Sequence, residues 1–174
     1  GNTLHELGRF DEAETSYTQA MALKPAYSEA HNNLGSTLHE LGRFDEAQPS
    51  YTQAIAFKPD FVEAHSNLGN ALHELGKFDD AEASFKRAIA LKPDFAEAQN
   101  NLGNTLKELG RFDDAKASYK RAIALKPEFA EAQSNLGSAL KELGRFDEAE
   151  ASYNQAIALK PDFAMAHSNL GNTL

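Results

Sequence analysis

Six histidines are the residues of this chain best suited to holding a metal ion, because neutral imidazole is a common zinc ligand. They form two series of regular spacing: His31, His65 and His167, and His5, His39 and His73. A helical zinc pair is usually about four residues apart, whereas His31 and His39 are separated by about 12 Å of helix rise. The sequence also lacks cysteine as a second ligand type. We therefore expect no metal site, with the first series partly buried and the second solvated.

Carboxylates also recur in two series. One series is expected near helix starts and comprises Glu29, Glu63, Glu97 and Glu131. The other is expected near the ends of the same helices and comprises Glu6, Glu40, Glu74, Glu108 and Glu142. A unique carboxylate pair can perform acid–base catalysis, but a regularly repeated series contains no such pair. We predict no catalytic residue and no cofactor. The first series is expected to complete capping boxes with Asp60, Asp94 and Glu128.

Asparagines form the most informative series. Asparagine occupies the same position of every unit, at Asn33, Asn67, Asn101, Asn135 and Asn169, while neighbouring positions alternate between asparagine and serine. Candidate peptide contacts in those neighbouring positions are Asn32, Asn70, Asn100 and Asn104. A primary amide has two N–H donors and two acceptor lone pairs, which complement an extended peptide backbone. Hydrogen bonds within or between helices are the alternative interpretation, and the sequence leaves both open.

These residues recur because the whole chain repeats every 34 positions. Glycine and proline mark the period, with Gly35, Gly69 and Gly103 in one series and Pro25, Pro59 and Pro93 in another. A period of this length indicates an array of helical units. We predict a single array spanning residues 1–174, with a partial unit at 1–27, full units at 28–61, 62–95, 96–129 and 130–163, and a partial unit at 164–174.

Each unit is predicted to contain two helices. The first carries an apolar stripe with residues three and four apart, including Ala98, Leu102 and Leu106, which is typical of an amphipathic helix. Gly110 suits the left-handed residue after that helix, Asp113 suits the N-cap of the second helix, and Pro127 ends the unit.

The two helices of a unit are expected to pack antiparallel, with Gly103 facing the small residues Ala115 and Ala122. Stacked hairpins of this kind form a quasi-one-dimensional solenoid. The predicted fold class is therefore all-α, a right-handed superhelical solenoid of antiparallel helix hairpins with a 34-residue period.

Charge and composition exclude several partners. The net charge of −9 lacks the basic footprint of nucleic-acid binding. No run approaches the 18 apolar residues of a membrane span, and the absence of cysteine excludes disulfides. No signal peptide is visible, and we expect a cytoplasmic protein.

Three motifs resemble the tetratricopeptide repeat (TPR) family over the whole chain. They are Asn-Leu-Gly-Asn at 101–104, Leu-Gly-Arg-Phe-Asp-Asp-Ala at 109–115 and Ala-Ile-Ala-Leu-Lys-Pro at 122–127. The Asn33 series is similar to the asparagine ladder in the TPR arm of O-linked N-acetylglucosamine transferases, which holds extended protein segments by their backbones. Chaperone-binding TPR domains use a basic carboxylate clamp, but the matching positions here hold residues such as Glu29, Asn32 and Glu63.

The resemblance implies a protein-interaction scaffold that binds extended, neutral to basic peptide segments on its concave face through the Asn33 series. Two alternatives stay open: the substrate-recognition arm of a larger enzyme such as a glycosyltransferase, and a near-consensus engineered array with no evolved ligand.

The two ends of the chain share the tetrapeptide Gly-Asn-Thr-Leu, at 1–4 and 171–174. The last helix is expected to leave Ala166, Leu170 and Leu174 uncovered. Complementary uncapped ends favour a heterologous, head-to-tail contact, and we expect the chain to associate end to end at high concentration.

Overall fold

The computed structural model describes residues 1–173 and contains only helices in that range. The eleven helices are α1 Asn2–Glu6, α2 Phe10–Leu23, α3 Ser28–Glu40, α4 Phe44–Phe57, α5 Val62–Glu74, α6 Phe78–Leu91, α7 Ala96–Glu108, α8 Phe112–Leu125, α9 Ala130–Glu142, α10 Phe146–Leu159 and α11 Ala164–Gly171. The predicted all-α class of paired helices is confirmed. End-to-end association stays a prediction, and Leu174, which it invokes, lies outside the described residues.

The helices form two compact units, Gly1–Leu91 and residues 92 onward. Within each unit a second helix packs on the first helix of its own hairpin and on the next first helix, as α4 does on α3 and α5, and α8 on α7 and α9. Lys58, directly after α4, lies 3.6 Å from Glu29 in the first turn of α3. The helices of a hairpin therefore run antiparallel.

The link within a hairpin is a short left-handed turn. Gly42 has φ +71°, which costs glycine little because it has no Cβ. The Gly42 and Arg43 amides donate to the carbonyls of His39 and Leu38, the pattern of a Schellman motif. The next helix then begins at once, with Arg43 as its N-cap.

Predicted N-caps are wrong at the second helices. Helix α8 begins at Phe112, so Asp113 lies inside its first turn, and Arg111 is the N-cap without a side-chain cap bond. Instead, Arg111 donates from Nε to Asp114 at 2.9 Å. The preceding turn sets the backbone conformation at the start of the helix, so no side-chain cap is needed. The acidic residues of the first turn stabilise the positive end of the helix through their charge.

An aromatic ring lies directly against a helical glycine in each hairpin. A Cβ added to Gly103 would be 2.5 Å from Cε1 of Tyr119, and one added to Gly35 would be 2.7 Å from Cε1 of Tyr51. The glycine therefore faces an aromatic ring, whereas the sequence analysis placed Ala115 and Ala122 opposite it. These tyrosines are almost completely buried, so the missing Cβ makes room for the largest side chains of the core.

An ion pair and a hydrogen bond join neighbouring hairpins in the Gly1–Leu91 unit. Arg43 donates to Glu14 of the preceding hairpin at 2.7 Å, and Lys77 donates to Gln48 at 2.8 Å in the same register. The corresponding pair between the α7–α8 and α9–α10 hairpins is Lys116 and Arg145, two cations. Lys116 is paired with Asp113 of its own helix instead. The register that pairs Glu14 with Arg43 thus holds no attractive pair here, and Asp113 of α8 attracts Arg145 instead.

We expect Gly103→Ala to destabilise the protein by about 1–3 kcal/mol, the usual cost of overpacking a core. The Tyr119 ring cannot move from a fully buried site without disturbing its neighbours. Gly171→Ala is the matched control, because its Cβ would meet no atom within 4 Å. Urea unfolding monitored by circular dichroism measures both changes, and equal unfolding midpoints would contradict the packing role of Gly103.

Asp113→Asn/Lys116→Glu is expected to be more stable than Asp113→Asn/Lys120→Glu, because a glutamate at position 116 recreates the Glu14–Arg43 pair with Arg145. Both variants include Asp113→Asn, since Asp113 pairs with Lys116 and would repel a carboxylate in its place. The difference should lie between 0 and about 1 kcal/mol and shrink in 1 M salt. Lys120 lies on the exposed face of α8, so equal midpoints in urea unfolding would show that Arg145 is not reached.

Candidate peptide-binding surface

Within each of the two compact units, the first helices place their members of the Asn33 series on one surface of that unit. Helix α3 contacts α5, and α7 contacts α9, so equivalent positions of successive first helices become neighbours. We call this surface the first-helix face. Asn33, Asn67, Asn101, Asn135 and Asn169 are all half-buried there.

Side-chain amides of the Gly1–Leu91 unit form a continuous hydrogen-bonded relay along this face. Asn67 donates from Nδ2 to Oδ1 of Asn32 at 3.1 Å, and Asn32 donates to Asn33 at 3.3 Å. Asn33 then donates to Oδ1 of Asn2 at 3.0 Å. Because Asn32 is only 7 % exposed, its amide belongs to the interior of the relay.

The second unit repeats part of this relay. Asn135 donates to Oδ1 of Asn100 at 3.0 Å, and Asn100 donates to Oδ1 of Asn101 at 3.2 Å. Asn100 is 7 % exposed, like its counterpart in the first unit. Asn169 has a different contact, outside the side-chain relay. Its backbone carbonyl accepts a hydrogen bond from the Thr173 hydroxyl at 2.7 Å.

The relay shows that interhelical bonding is one role of the Asn33 series. The relay does not use all the hydrogen-bonding groups of these amides, since each amide has two N–H donors and two acceptor lone pairs. Asn67, for example, uses one N–H toward Asn32 and is half-buried rather than enclosed. The relay therefore fixes the amide orientation and leaves further hydrogen-bonding capacity toward the open side.

Two cavities of the Gly1–Leu91 unit lie beside the relay in corresponding positions. The first has a volume of about 210 Å³ and is lined by Asn2, His5, Glu6, Tyr17, Asn33 and Ser36. The second has a volume of about 160 Å³ and is lined by Ser36, His39, Glu40, Tyr51, Asn67 and Asn70. Each lining residue of the second cavity is 34 positions beyond its counterpart in the first, so the repeat generates both.

Tyrosine hydroxyls reach the first-helix face from the core. Tyr17 donates to Oδ1 of Asn2, and Tyr119 donates to Oδ1 of Asn104, both at 2.8 Å. Burial raises the pKa of Tyr51 to about 12, so this hydroxyl stays protonated at neutral pH. Sequence reasoning missed the tyrosines, although their 34-residue spacing was available as a signal.

Three carboxylates of the Glu29 series, at Glu29, Glu97 and Glu131, have lysine partners, which corrects the predicted capping boxes. Lys126 donates to Glu97 at 3.0 Å, and this bond holds the pKa of Glu97 below its usual value. The first helices have aromatic N-caps such as Phe95, without side-chain cap bonds. These pairs therefore join a first helix to the Lys-Pro turn at the end of its own hairpin.

Histidines of the first series bind backbone carbonyls. His31 Nε2 lies 2.9 Å from the Pro25 oxygen, and His65 Nε2 lies 3.0 Å from the Pro59 oxygen. Since a carbonyl only accepts, Nε2 carries the proton and donates in both. His65 is buried, and His31 is half-buried.

The second histidine series is less solvated than predicted. His39 packs against Phe44 with ring centroids 4.9 Å apart, and His5 packs similarly against Phe10. The Nε2 atoms of both histidines are buried without a hydrogen-bond partner. Packing against the first aromatic residue of the second helix thus shields the Nε2 atoms from water, while the residues themselves are half-buried.

Within residues 1–173, no cluster of three or more histidine, aspartate or glutamate side chains has an arrangement suited to a metal ion. No helix in the same range is both long enough and apolar enough to cross a membrane.

Family models identify the class of protein to which this fold and surface correspond. Models described as TPR repeat match residues 1–42, 35–76 and 69–110, and a model described as tetratricopeptide repeat matches residues 100–162 and 135–174. The chain therefore belongs to the TPR family, whose members are generally non-catalytic scaffolds that bind protein or peptide partners.

Solved TPR structures share the fold. A crystal structure of MamA is 28% identical, with a TM-score of 0.87, covering 94% of this chain and 96% of its own. A TPR protein of Thermus thermophilus is also 28% identical, with a TM-score of 0.78 and coverages of 99% and 94%. YrrB, described as a TPR protein with an unusual peptide-binding site, is 22% identical, with a TM-score of 0.83 and coverages of 99% and 88%. No curated protein sequence matches the chain.

The relay predicts a stability cost for removing its donors. We expect Asn67→Ala and Asn135→Ala each to lower the free energy of unfolding by about 1–3 kcal/mol, because the buried oxygens of Asn32 and Asn100 lose their partners. Asn154→Ala on the exposed side of α10 is the control and should change stability by less than about 0.5 kcal/mol. Equal effects in urea unfolding would show that the relay contributes no stability.

Proposed function

We propose that the chain is a protein-binding scaffold that holds an extended peptide segment along its first-helix face. The half-buried amides of the Asn33 series carry this proposal. Their orientation is fixed by the relay, and fixed hydrogen-bonding groups lose little freedom when a ligand binds. The candidate contacts that remain half-buried in the neighbouring positions are Asn70 and Asn104. The buried Asn32 and Asn100 act through the relay.

Geometry supports an extended ligand. Packed helices are about 8–10 Å apart, and an extended peptide advances about 3.3 Å per residue. One asparagine of the series would thus serve about three peptide residues. Backbone recognition of this kind gives a loose sequence preference over a segment of roughly a dozen residues.

The charge of the face favours neutral to basic ligands. The Glu29 series is largely neutralised by lysines, but Glu6 and Glu40 of the other series are exposed. An unbalanced negative field attracts basic segments and weakens as salt is added.

Replacing Asn67, Asn101 and Asn135 together by alanine is expected to reduce peptide affinity at least tenfold, because each change removes amide contacts to the ligand backbone. The best binder from an array of twelve-residue peptides serves as the probe, and fluorescence anisotropy measures its affinity. Circular dichroism first establishes a temperature at which the variant is fully folded.

The matched control replaces three exposed polar side chains of second helices, Gln19, Gln53 and Asn154, by alanine. This control should bind like the original chain. Unchanged affinity in the Asn67/Asn101/Asn135 variant would refute recognition by the Asn33 series.

A further inference from the structure

We infer that the two repeated cavities of the Gly1–Leu91 unit each accept one arginine or lysine side chain of an extended peptide, with the two basic residues three positions apart. This inference rests on the proposed function and adds a side-chain preference to it. We call the cavities the Glu6 pocket and the Glu40 pocket, with the linings given above.

The size of the pockets suits a long side chain. The smaller has a volume of about 160 Å³, well above the roughly 10–15 Å³ that one water molecule requires. Both contain polar groups, since each is lined by a carboxylate, a tyrosine hydroxyl, an asparagine amide and a histidine ring. An aliphatic side chain would displace water from these groups without replacing its hydrogen bonds.

An unpaired carboxylate in each pocket supplies the preference for a cation. Glu6 and Glu40 are exposed and have neither an ion pair nor a hydrogen bond within residues 1–173. The Glu29 series differs, because lysines of the same hairpins already occupy Glu29, Glu97 and Glu131. A carboxylate that binds an ammonium or guanidinium group forms a charge-assisted bond, the stronger kind of hydrogen bond.

The other lining groups are suited to a cation with several donors. Guanidinium has five N–H donors and no acceptor, so it needs acceptors on more than one side. The Tyr51 hydroxyl donates toward Ser36, 3.4 Å away, and keeps its oxygen lone pairs. Asn67 uses an N–H in the relay, which leaves its carbonyl oxygen as a further acceptor beside Glu40.

The second unit differs at the same register. Lys107 and Lys141 replace the histidines of the pockets, beside Glu108 and Glu142. Lys141 already donates to the Asn172 carbonyl at 2.9 Å. The lysine next to each of these carboxylates offsets part of its negative charge, so we assign the preference for basic side chains to the first unit.

Spacing follows from the repeat. The pockets are related by one 34-residue step, and neighbouring packed helices are about 8–10 Å apart. An extended peptide in the polyproline II conformation has three residues per turn and rises about 3.1 Å per residue, so residues i and i+3 lie on the same side about 9 Å apart. The two basic side chains therefore belong at positions i and i+3.

The experiment compares two fluorescein-labelled twelve-residue peptides of serine, alanine and threonine. One has arginine at positions 5 and 8, and the other has glutamine there. We expect the arginine peptide to bind at least tenfold more tightly, and Glu6→Gln/Glu40→Gln to remove most of that advantage. Glu108→Gln/Glu142→Gln changes the same number of charges in the second unit and should leave the advantage intact.

Charge reversal tests direct contact. Glu6→Lys/Glu40→Lys should bind a peptide with glutamate at positions 5 and 8 better than the arginine peptide, and such a swap would support the pockets. If both pairs of glutamate-to-glutamine changes lowered the affinity of the arginine peptide equally, the pocket assignment would be overturned. The attraction would then come from the overall negative charge of the protein.

Two further outcomes separate this inference from the proposed function. Equal binding of the arginine and glutamine peptides, with both weakened by the Asn67/Asn101/Asn135 variant, would overturn the pockets and support backbone recognition. Absence of binding by either peptide at millimolar concentration would count against both.

Discussion

Contact between an aromatic ring and a helical glycine is the constraint on which the rest of each hairpin depends. Tyr119 lies where a Cβ of Gly103 would be, and Tyr153 has the same relation to Gly137. Without a side chain at the glycine, the first helix can approach the ring closely, and the buried alanines around it complete the core. Dense packing of this kind tolerates little change in volume, so the glycine determines the distance between the two helices of the hairpin.

The same aromatic residue connects the core to the polar surface. Tyr17 and Tyr119 end in hydroxyls that hold Asn2 and Asn104, and the Asn33 series crosses from one first helix to the next beside them. Groups proposed to bind a ligand are therefore also groups that join hairpins. A substitution in the series affects stability and affinity together, so binding is interpretable only beside a measurement of unfolding.

Two glutamate series of equal sequence regularity have different roles. In the first, Glu29, Glu97 and Glu131 are held by lysines of the Lys-Pro turns and contribute to hairpin closure. The second leaves Glu6 and Glu40 without partners in the first unit. The difference arises because an antiparallel hairpin brings its last turn to the start of its first helix, while the end of the first helix faces open space.

The sequence by itself determined the period, the helix pairs and the TPR family. These features depend on local periodicity and on turn residues such as Gly42, whose effects act within a few positions. Tertiary structure decided which groups meet. Asn67 bonds to Asn32 across 35 positions and Tyr119 to Asn104 across 15, distances at which local rules carry no information. The errors about Asp113 as an N-cap, the environment of Gly103 and the solvation of His39 have that common cause, because each depended on a neighbour that only packing supplies.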